Sequence, residues 1–167
     1  MISCGDSHSA AITEKNRLFT WGNGTFGRLG HGIDTTEKKP KLVEDLDNYE
    51  IIQVSCGAFH TLAVTSNGLV FGFGQGKYGK MGINRKDKEG IFLLPTQLDL
   101  TDVVQCVAGI NNSMALTQRG KIFTWGYGGK GLLGRKQSPY DHFYPREIMF
   151  YPFNERGVYL DLDKYKQ

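Results

Sequence analysis

Long apolar runs are missing from this sequence. The densest, Ile91-Phe92-Leu93-Leu94, is far shorter than the roughly 20 residues a membrane-spanning helix needs, so no membrane crossing is expected. The opening Met1-Ile2-Ser3-Cys4-Gly5-Asp6 has neither the basic start nor the apolar centre of a secretory signal. An intracellular setting, nucleus or cytoplasm, is the expectation. Cysteine is scarce: Cys4, Cys56 and Cys106 form no Cys-x-x-Cys pair, which argues against a zinc cage and against a disulfide framework. Buried reduced thiols are expected, with no metal. The sequons Asn23-Gly24-Thr25 and Asn111-Asn112-Ser113 are then expected to stay unmodified, because glycosylation requires a secreted chain. Helical periodicity is also lacking, since glycines interrupt every candidate window. Charge of one sign has little excess: 20 basic and 17 acidic residues give a net +3, too mild to argue for nucleic acid by itself. With 167 residues, 40% hydrophobic and 22% charged, the composition is that of a folded chain of single-domain size and excludes general disorder.

Glycine is in excess, at 22 residues of 167, about 13% against a usual 7%. Shifted by 52 residues against itself, the sequence brings its glycines into columns. Gly5 meets Gly57 and Gly109, Gly22 meets Gly74 and Gly126, and Gly24 meets Gly76 and Gly128. Gly27 meets Gly79 and Gly131, and Gly30 meets Gly82 and Gly134, so five columns hold 15 of the 22. Other columns agree in chemistry: Cys4 with Cys56, His8 with His60, Phe19 with Phe71 and Phe123, Trp21 with Phe73 and Trp125, Leu29 with Met81 and Leu133. The chain is three copies of one unit.

Within a unit the apolar pattern is that of strands. Ser7 to Thr13, His60 to Thr65 and Asn112 to Thr117 are short apolar runs, each followed by a turn and then Leu18-Phe19-Thr20-Trp21 or its counterpart. Ser66-Asn67-Gly68 is the strongest hairpin signal, read as a type I′ turn. A period of two puts Phe19 and Trp21 on one face, and likewise Phe71 with Phe73 and Phe123 with Trp125, which implies sheet stacked on sheet. Pro40, Pro95 and Pro145 each open an expected outer strand, where a missing N–H is tolerated. Ile51-Ile52-Gln53-Val54-Ser55 and Val103-Val104-Gln105-Cys106-Val107 read as buried strands. Four strands per 52 residues is a propeller blade. The fold expected is all-β, a partial β-propeller of about three four-stranded antiparallel blades. Their approximate spans are 1–48, 49–100 and 101–150, with 151–167 as an extra strand or tail.

Each unit also carries Gly-x-Gly-x-x-Gly after a strand, the string of a dinucleotide-binding turn. That chemistry requires a helix N-terminus inside a βαβ unit to hold the phosphates, and Leu29-Gly30-His31-Gly32 and its counterparts lack helical period. The glycines are therefore read as backbone devices of the blade, and no cofactor is expected.

The motif Cys4-Gly5-Asp6-Ser7-His8-Ser9-Ala10-Ala11, then Trp21-Gly22, Gly27-Arg28-Leu29-Gly30 and Pro40-Lys41-Leu42-Val43, resembles the regulator of chromosome condensation repeat. The resemblance extends to about Ile148. The third unit departs from it with Ala108-Gly109 and Asn112, the second with Phe73 in the tryptophan column. It implies a seven-bladed propeller, so three blades would need the remaining blades of a longer parent chain or a second copy. It also implies two functions. Most relatives are interaction platforms, and the founding member is an exchange factor for the small GTPase Ran that also binds chromatin. A protein-binding segment is the first expectation, and exchange on a Ran-type GTPase the alternative.

No nucleophile–base pair assembles from the sequence, so no catalytic residue is expected. His8 and His60 occupy one column and read as structural hydrogen-bonding groups, while His31 and His142 read as loop residues without a partner. The residues that serve the repeat are Gly5, His8, Trp21, Gly22, Gly27, Gly30, Gly57, His60, Phe73, Gly74, Gly79, Gly82, Gly109, Trp125, Gly126, Gly131 and Gly134. Charge says more about function. The loops 28–41, 77–89 and 128–136 together carry +8, leaving −5 for the rest of the chain. One rim is then basic, with Arg28, Lys38, Lys39, Lys77, Tyr78, Lys80, Lys86, Lys130 and Arg135 as candidate binding residues. Such a rim suits an acidic protein surface or DNA phosphates. The plainer reading is that lysines in loops are simply solvated.

Overall fold

The computed structural model describes residues 1–83, 90–135 and 142–148. Twelve strands form three four-stranded antiparallel sheets, each in chain order. The first holds β1 (Ile2–Cys4), β2 (His8–Ile12), β3 (Leu18–Gly22) and β4 (Glu37–Leu42). The second holds β5 (Ile51–Cys56), β6 (His60–Thr65), β7 (Val70–Gln75) and β8 (Ile91–Gln97), and the third β9 (Val103–Ala108), β10 (Asn112–Thr117), β11 (Ile122–Gly126) and β12 (His142–Ile148). Besides strands, the described residues contain only short 3-10 turns. No helix among them is long and apolar enough to cross a membrane.

The second and third strands of each sheet are joined by the same hairpin. Asn16 donates its N–H to the Thr13 carbonyl, Gly68 to Thr65 and Gly120 to Thr117. Each donor lies in left-handed backbone, at φ 58°, 81° and 77°. The threonine hydroxyl then accepts the next N–H, from Arg17, Leu69 and Lys121. Only Gly68 of the Asn67-Gly68 pair has positive φ. The turn is thus a type I turn closed by a left-handed residue, not the type I′ turn the Asn-Gly pair suggests.

The prolines do not open the outer strands. In the first sheet Thr20 pairs with Lys41 and Gly22 with Glu37, so three residues ending at Pro40 oppose Trp21 alone. The same three-against-one bulge ends at Pro95 and at Pro145. Proline sits where the ladder is already interrupted and its missing N–H leaves no bond unmade.

Alternation along the strands places one apolar face of each sheet on its neighbour. Ala10, Ile12 and Leu18 meet Val54, Ala63, Phe71 and Phe73 between the first and second sheets. Leu62, Val64 and Val70 meet Cys106, Ala115 and Trp125 between the second and third. Phe73 and Trp125 are both fully buried, and truncating either to alanine is expected to cost about 3–5 kcal/mol. Polar atoms stitch the same seams. The Ser3 hydroxyl accepts the Cys56 N–H at 3.0 Å, and Ser55 repeats this on Ala108 at 2.9 Å. The Gln53 side chain donates to the Cys106 carbonyl and accepts the Cys106 N–H, at 2.8 and 3.0 Å. Burial raises the Cys56 thiol pKa to about 11 and that of Cys106 further. Both are free thiols, as is the exposed Cys4.

Close approach across these seams explains the best-defined glycine column. A Cβ on Gly27 would stand 2.7 Å from Leu93 Cα, and one on Gly79 2.6 Å from the His142 carbonyl oxygen, both backbone atoms of the next sheet. Gly131, at a similar φ of 73°, has nothing within 4 Å. Gly79→Ala is therefore expected to cost about 2–4 kcal/mol, strain plus displaced backbone, and Gly131→Ala about 1 kcal/mol from strain alone. Urea unfolding of the two variants checks this, and equal losses would contradict it.

Candidate functional site

The connection after the third strand of every sheet emerges at one end of the molecule, beside the connection between the first two strands. There each sheet carries a 3-10 turn, Thr25–Gly27, Lys77–Gly79 and Gly129–Gly131. The central residue of each turn is left-handed although it is not glycine: Phe26 and Tyr78 at φ 65°, Lys130 at 59°. Holding a bulky residue there costs on the order of 1 kcal/mol or more. The geometry aims its side chain across the seam. Phe26 meets Phe59 edge-on at 5.9 Å, and Tyr78 meets Tyr127 at 5.6 Å. All four rings are half-buried.

Beneath the rings lies a repeated polar relay. His8 Nε2 lies 2.8 Å from the Thr61 hydroxyl, which donates to the Arg28 carbonyl at 2.8 Å. His60 Nε2 lies 2.8 Å from the Ser113 hydroxyl, which donates to the Lys80 carbonyl at 2.8 Å. Each hydroxyl has one proton and gives it to the carbonyl, so it accepts from Nε2–H. The Nδ1 atoms of both rings are buried with no partner. The imidazoles are thereby fixed as neutral Nε2–H tautomers, a structural role. Trp125 adds its indole N–H to the Lys80 carbonyl at 2.9 Å, a bond for which Phe73 has no donor.

Two predicted rim cations belong to this inner layer. Arg28 is buried and donates to the Thr25 carbonyl, to the Ser7 hydroxyl and, across the seam, to the Ala58 carbonyl. Lys80 is fully buried, with Nζ bonded to Gln75 Oε1 at 2.9 Å and Asn111 Oδ1 at 3.1 Å. Both stand over the Phe59 ring, at 4.8 and 5.2 Å. They are ties between sheets and not free contacts: the cost of burying each cationic end is offset by the oxygen acceptors it reaches and by the Phe59 ring face. Desolvation, reinforced by Lys77 and Arg28, lowers the Lys80 pKa to about 8.

The other candidates fall in different places. Lys77 and Lys130 are exposed on the turns and Tyr78 is half-buried beside them, its ring 5.1 Å from Lys77 Nζ. Lys38 and Lys39 are exposed, but on the bulge of β4 instead of a loop. Arg135 turns inward to the Thr124 carbonyl and hydroxyl. Lys86 and the tail 151–167 lie outside the described residues. His31 bonds the Thr20 hydroxyl and His142 opens β12, so neither is a bare loop residue. Among the repeat positions, Gly5 and Gly57 lie under the His8 and His60 rings, and Gly109 under the Asn112 amide. Gly22, Gly74 and Gly126 back onto the start of the second strand, and Gly30 and Gly82 onto Phe73 and Trp125 of the next sheet; a Cβ on Gly134 would stand 3.6 Å from Ile148 Cδ1. Trp21, in the tryptophan column, is only half-buried. The rings of Phe26, Phe59 and Tyr127 are the part of the site that charge counting missed; the shared column of Phe26 and Tyr78 was the available signal.

A family model, the Regulator of chromosome condensation (RCC1) repeat, matches residues 15–64, 67–116 and 119–158. The chain belongs to the RCC1 repeat family. Each of the first two matched repeats takes the last two strands of one sheet and the first two of the next. The E3 ubiquitin-protein ligase HERC2 of Homo sapiens is 45% identical over 135 residues, 80% of this chain but 3% of that protein. The ultraviolet-B receptor UVR8 of Arabidopsis thaliana is 36% identical over 152 residues, 89% of this chain and 33% of that protein. Among solved structures, yeast RCC1 (Prp20) bound to Kap60 superimposes with a TM-score of 0.82 at 27% identity, covering 90% of this chain and 37% of Prp20. The chain thus spans well under half the length of these relatives, and the three sheets are RCC1-type propeller blades.

Burial of the relay gives the RCC1 seam a pH dependence. Desolvation, with Arg28 nearby, lowers the His8 pKa from 6.5 to about 4, and desolvation, with Lys80 nearby, lowers that of His60 to about 3. Below pH 6.5 the unfolded chain binds protons the folded chain refuses, so stability falls as pH drops from 6.5 toward 4, by about 1.4 kcal/mol per unit per histidine. Urea midpoints between pH 7 and 4.5 are expected to fall, and to fall less steeply in His8→Gln. An unchanged slope in that variant would contradict the buried neutral imidazole.

Proposed function

We propose that this RCC1 segment is a protein-interaction module that engages a partner protein through the loop end of its blades. The carrying observation is the ledge of half-buried rings, Phe26, Phe59, Tyr78 and Tyr127, bordered by the exposed lysines Lys77 and Lys130. Aromatic rings supply contact area at small entropic cost, and surrounding cations steer an acidic surface toward them. The family relationship supports this reading, since the relatives include regulatory proteins of several kinds.

Further blades complete the ring in this proposal, from a longer parent chain or a second copy. Ile2 is 79% exposed whereas Val54 and Cys106, in the same column, are each 1% exposed beneath the preceding sheet. At the other side Gly120 and Gly131 face open space and Val107 is 48% exposed. Both outer faces are built as seams.

The double variant Lys77→Glu with Lys130→Glu is expected to weaken capture of acidic partners about tenfold, through association rate, at unchanged melting temperature. Capture equal to the unaltered chain would refute the ledge. A second reading, exchange on a Ran-type GTPase with chromatin association, draws on the likeness to Prp20p of Saccharomyces cerevisiae (TM-score 0.80, 27% identity), whose structure is described with its binding to Gsp1p and histones. Release of fluorescent nucleotide from a Ran-type GTPase is expected to be unaffected by the chain, and clear acceleration would favour that second reading.

A further inference from the structure

The end of the molecule opposite the ledge carries a second feature. There a linker leads from the outer strand of one sheet to the inner strand of the next. In the first linker Val43 bonds the Leu18 carbonyl, residues 44–50 follow, and β5 begins at Ile51. Leu46 is buried, and Tyr49 lies on the Phe71 ring with centroids 4.8 Å apart. In the second linker Leu98 bonds the Val70 carbonyl in the same way, but only residues 99–102 precede β9. Leu98 and Leu100 repeat the buried Val43 and Leu46. Thr101, two residues before the strand, stands where Tyr49 stands before β5. Phe123 repeats Phe71, so the second seam has the aromatic floor and lacks the aromatic cover.

The difference leaves a cavity of about 350 Å³, floored by Phe123 and Leu100, walled by Thr101 and Thr117, with Asp102 and Arg119 at its mouth. That volume is at the lower end of ligand pockets, about 300–1,000 Å³, and suits one ring with its backbone. Phe71, under Tyr49, is 6% exposed, whereas Phe123 stays half-buried. Arg119 makes no ion pair among the described residues. Its guanidinium is free to lie on an aromatic face, and the Asp102 carboxylate is an acceptor for a phenol hydroxyl. The cavity lies on the seam already closed between the second and third sheets, so a blade added beyond the third sheet leaves it open.

We propose that this cavity is a recognition pocket for an aromatic side chain, tyrosine above all, presented by a peptide segment of a partner. The protein contains its own model of the complex: Tyr49 on Phe71 is the occupied form of the site that Thr101 leaves vacant above Phe123. The proposal is independent of the loop-end ledge, which is at the other end of the strands.

The test is an NMR titration of the full 167-residue chain with N-acetyl-L-tyrosinamide as probe and N-acetyl-L-leucinamide as comparison. Saturable shifts at Thr101, Thr117 and Arg119, which line the cavity, are expected, with millimolar affinity for so small a ligand and at least fivefold weaker binding of the leucine probe. Thr101→Tyr is expected to fill the pocket, abolish the shifts and raise the melting temperature. Should Thr101→Tyr overpack and fail to fold, Phe123→Leu, with the first-sheet spectrum unchanged, is expected to weaken the tyrosine probe at least fivefold. Absence of saturable shifts, equal affinity for the leucine probe, or binding untouched by both substitutions would overturn the proposal.

Discussion

Between adjacent sheets a histidine N–H, a hydroxyl and a loop carbonyl lie in line, each 2.8 Å from the next. This relay ties three separate pieces of chain: the start of β2 or β6, the inner face of the following sheet, and the tip of a 3-10 turn. Because the hydroxyl has a single proton, the direction of every bond is set, and because the buried Nδ1 has no acceptor for a second proton the imidazole is neutral. Burial then makes the arrangement all-or-none, since a charged or displaced ring strands a polar group in a site from which water is excluded. The turn tip held by the relay is the one that carries Phe26 or Tyr78, so the surface features of the loop end inherit their placement from a buried bond.

The same economy divides the basic residues. Arg28 and Lys80 share a column and both cross the seam, whereas Leu132, in that column of the third sheet, is 50% exposed. The relay ends there too, with Asn112 in the histidine column. Adjacent blades thus carry interlocking ties, and the outward side of the third sheet carries a different, more apolar set. In a molecule of nearest-neighbour contacts, stability is a sum over such seams, so these two columns set which faces join firmly.

The repeat, the all-β class and the antiparallel pairing of strands were legible because glycine spacing and period-two alternation are local signals. The lack of a helix at each Gly-x-Gly-x-x-Gly was also legible, because no helical period followed it, and short 3-10 turns stand there. What could not be read was direction. Arg28 and Lys80 look like loop cations in any linear count, and only the arrival of Ala58, Gln75 and Asn111 around them shows that they point inward. Pro40, Pro95 and Pro145 marked the outer strands but misplaced their starts, since a bulge has no signature apart from the pairing it interrupts. The empty place above Phe123 was equally hidden, because it arises from a linker shortened relative to the first and is visible only when two seams are compared.

The first two matched repeats run from the last two strands of one sheet into the first two of the next. A unit cut at the hairpin turns therefore never corresponds to a free-standing sheet: it carries half of two, with one junction already formed between them. Tandem duplication of such a unit in a gene would insert a finished joint along with its strands, leaving only the hairpin pairing between second and third strands to be made where two copies meet.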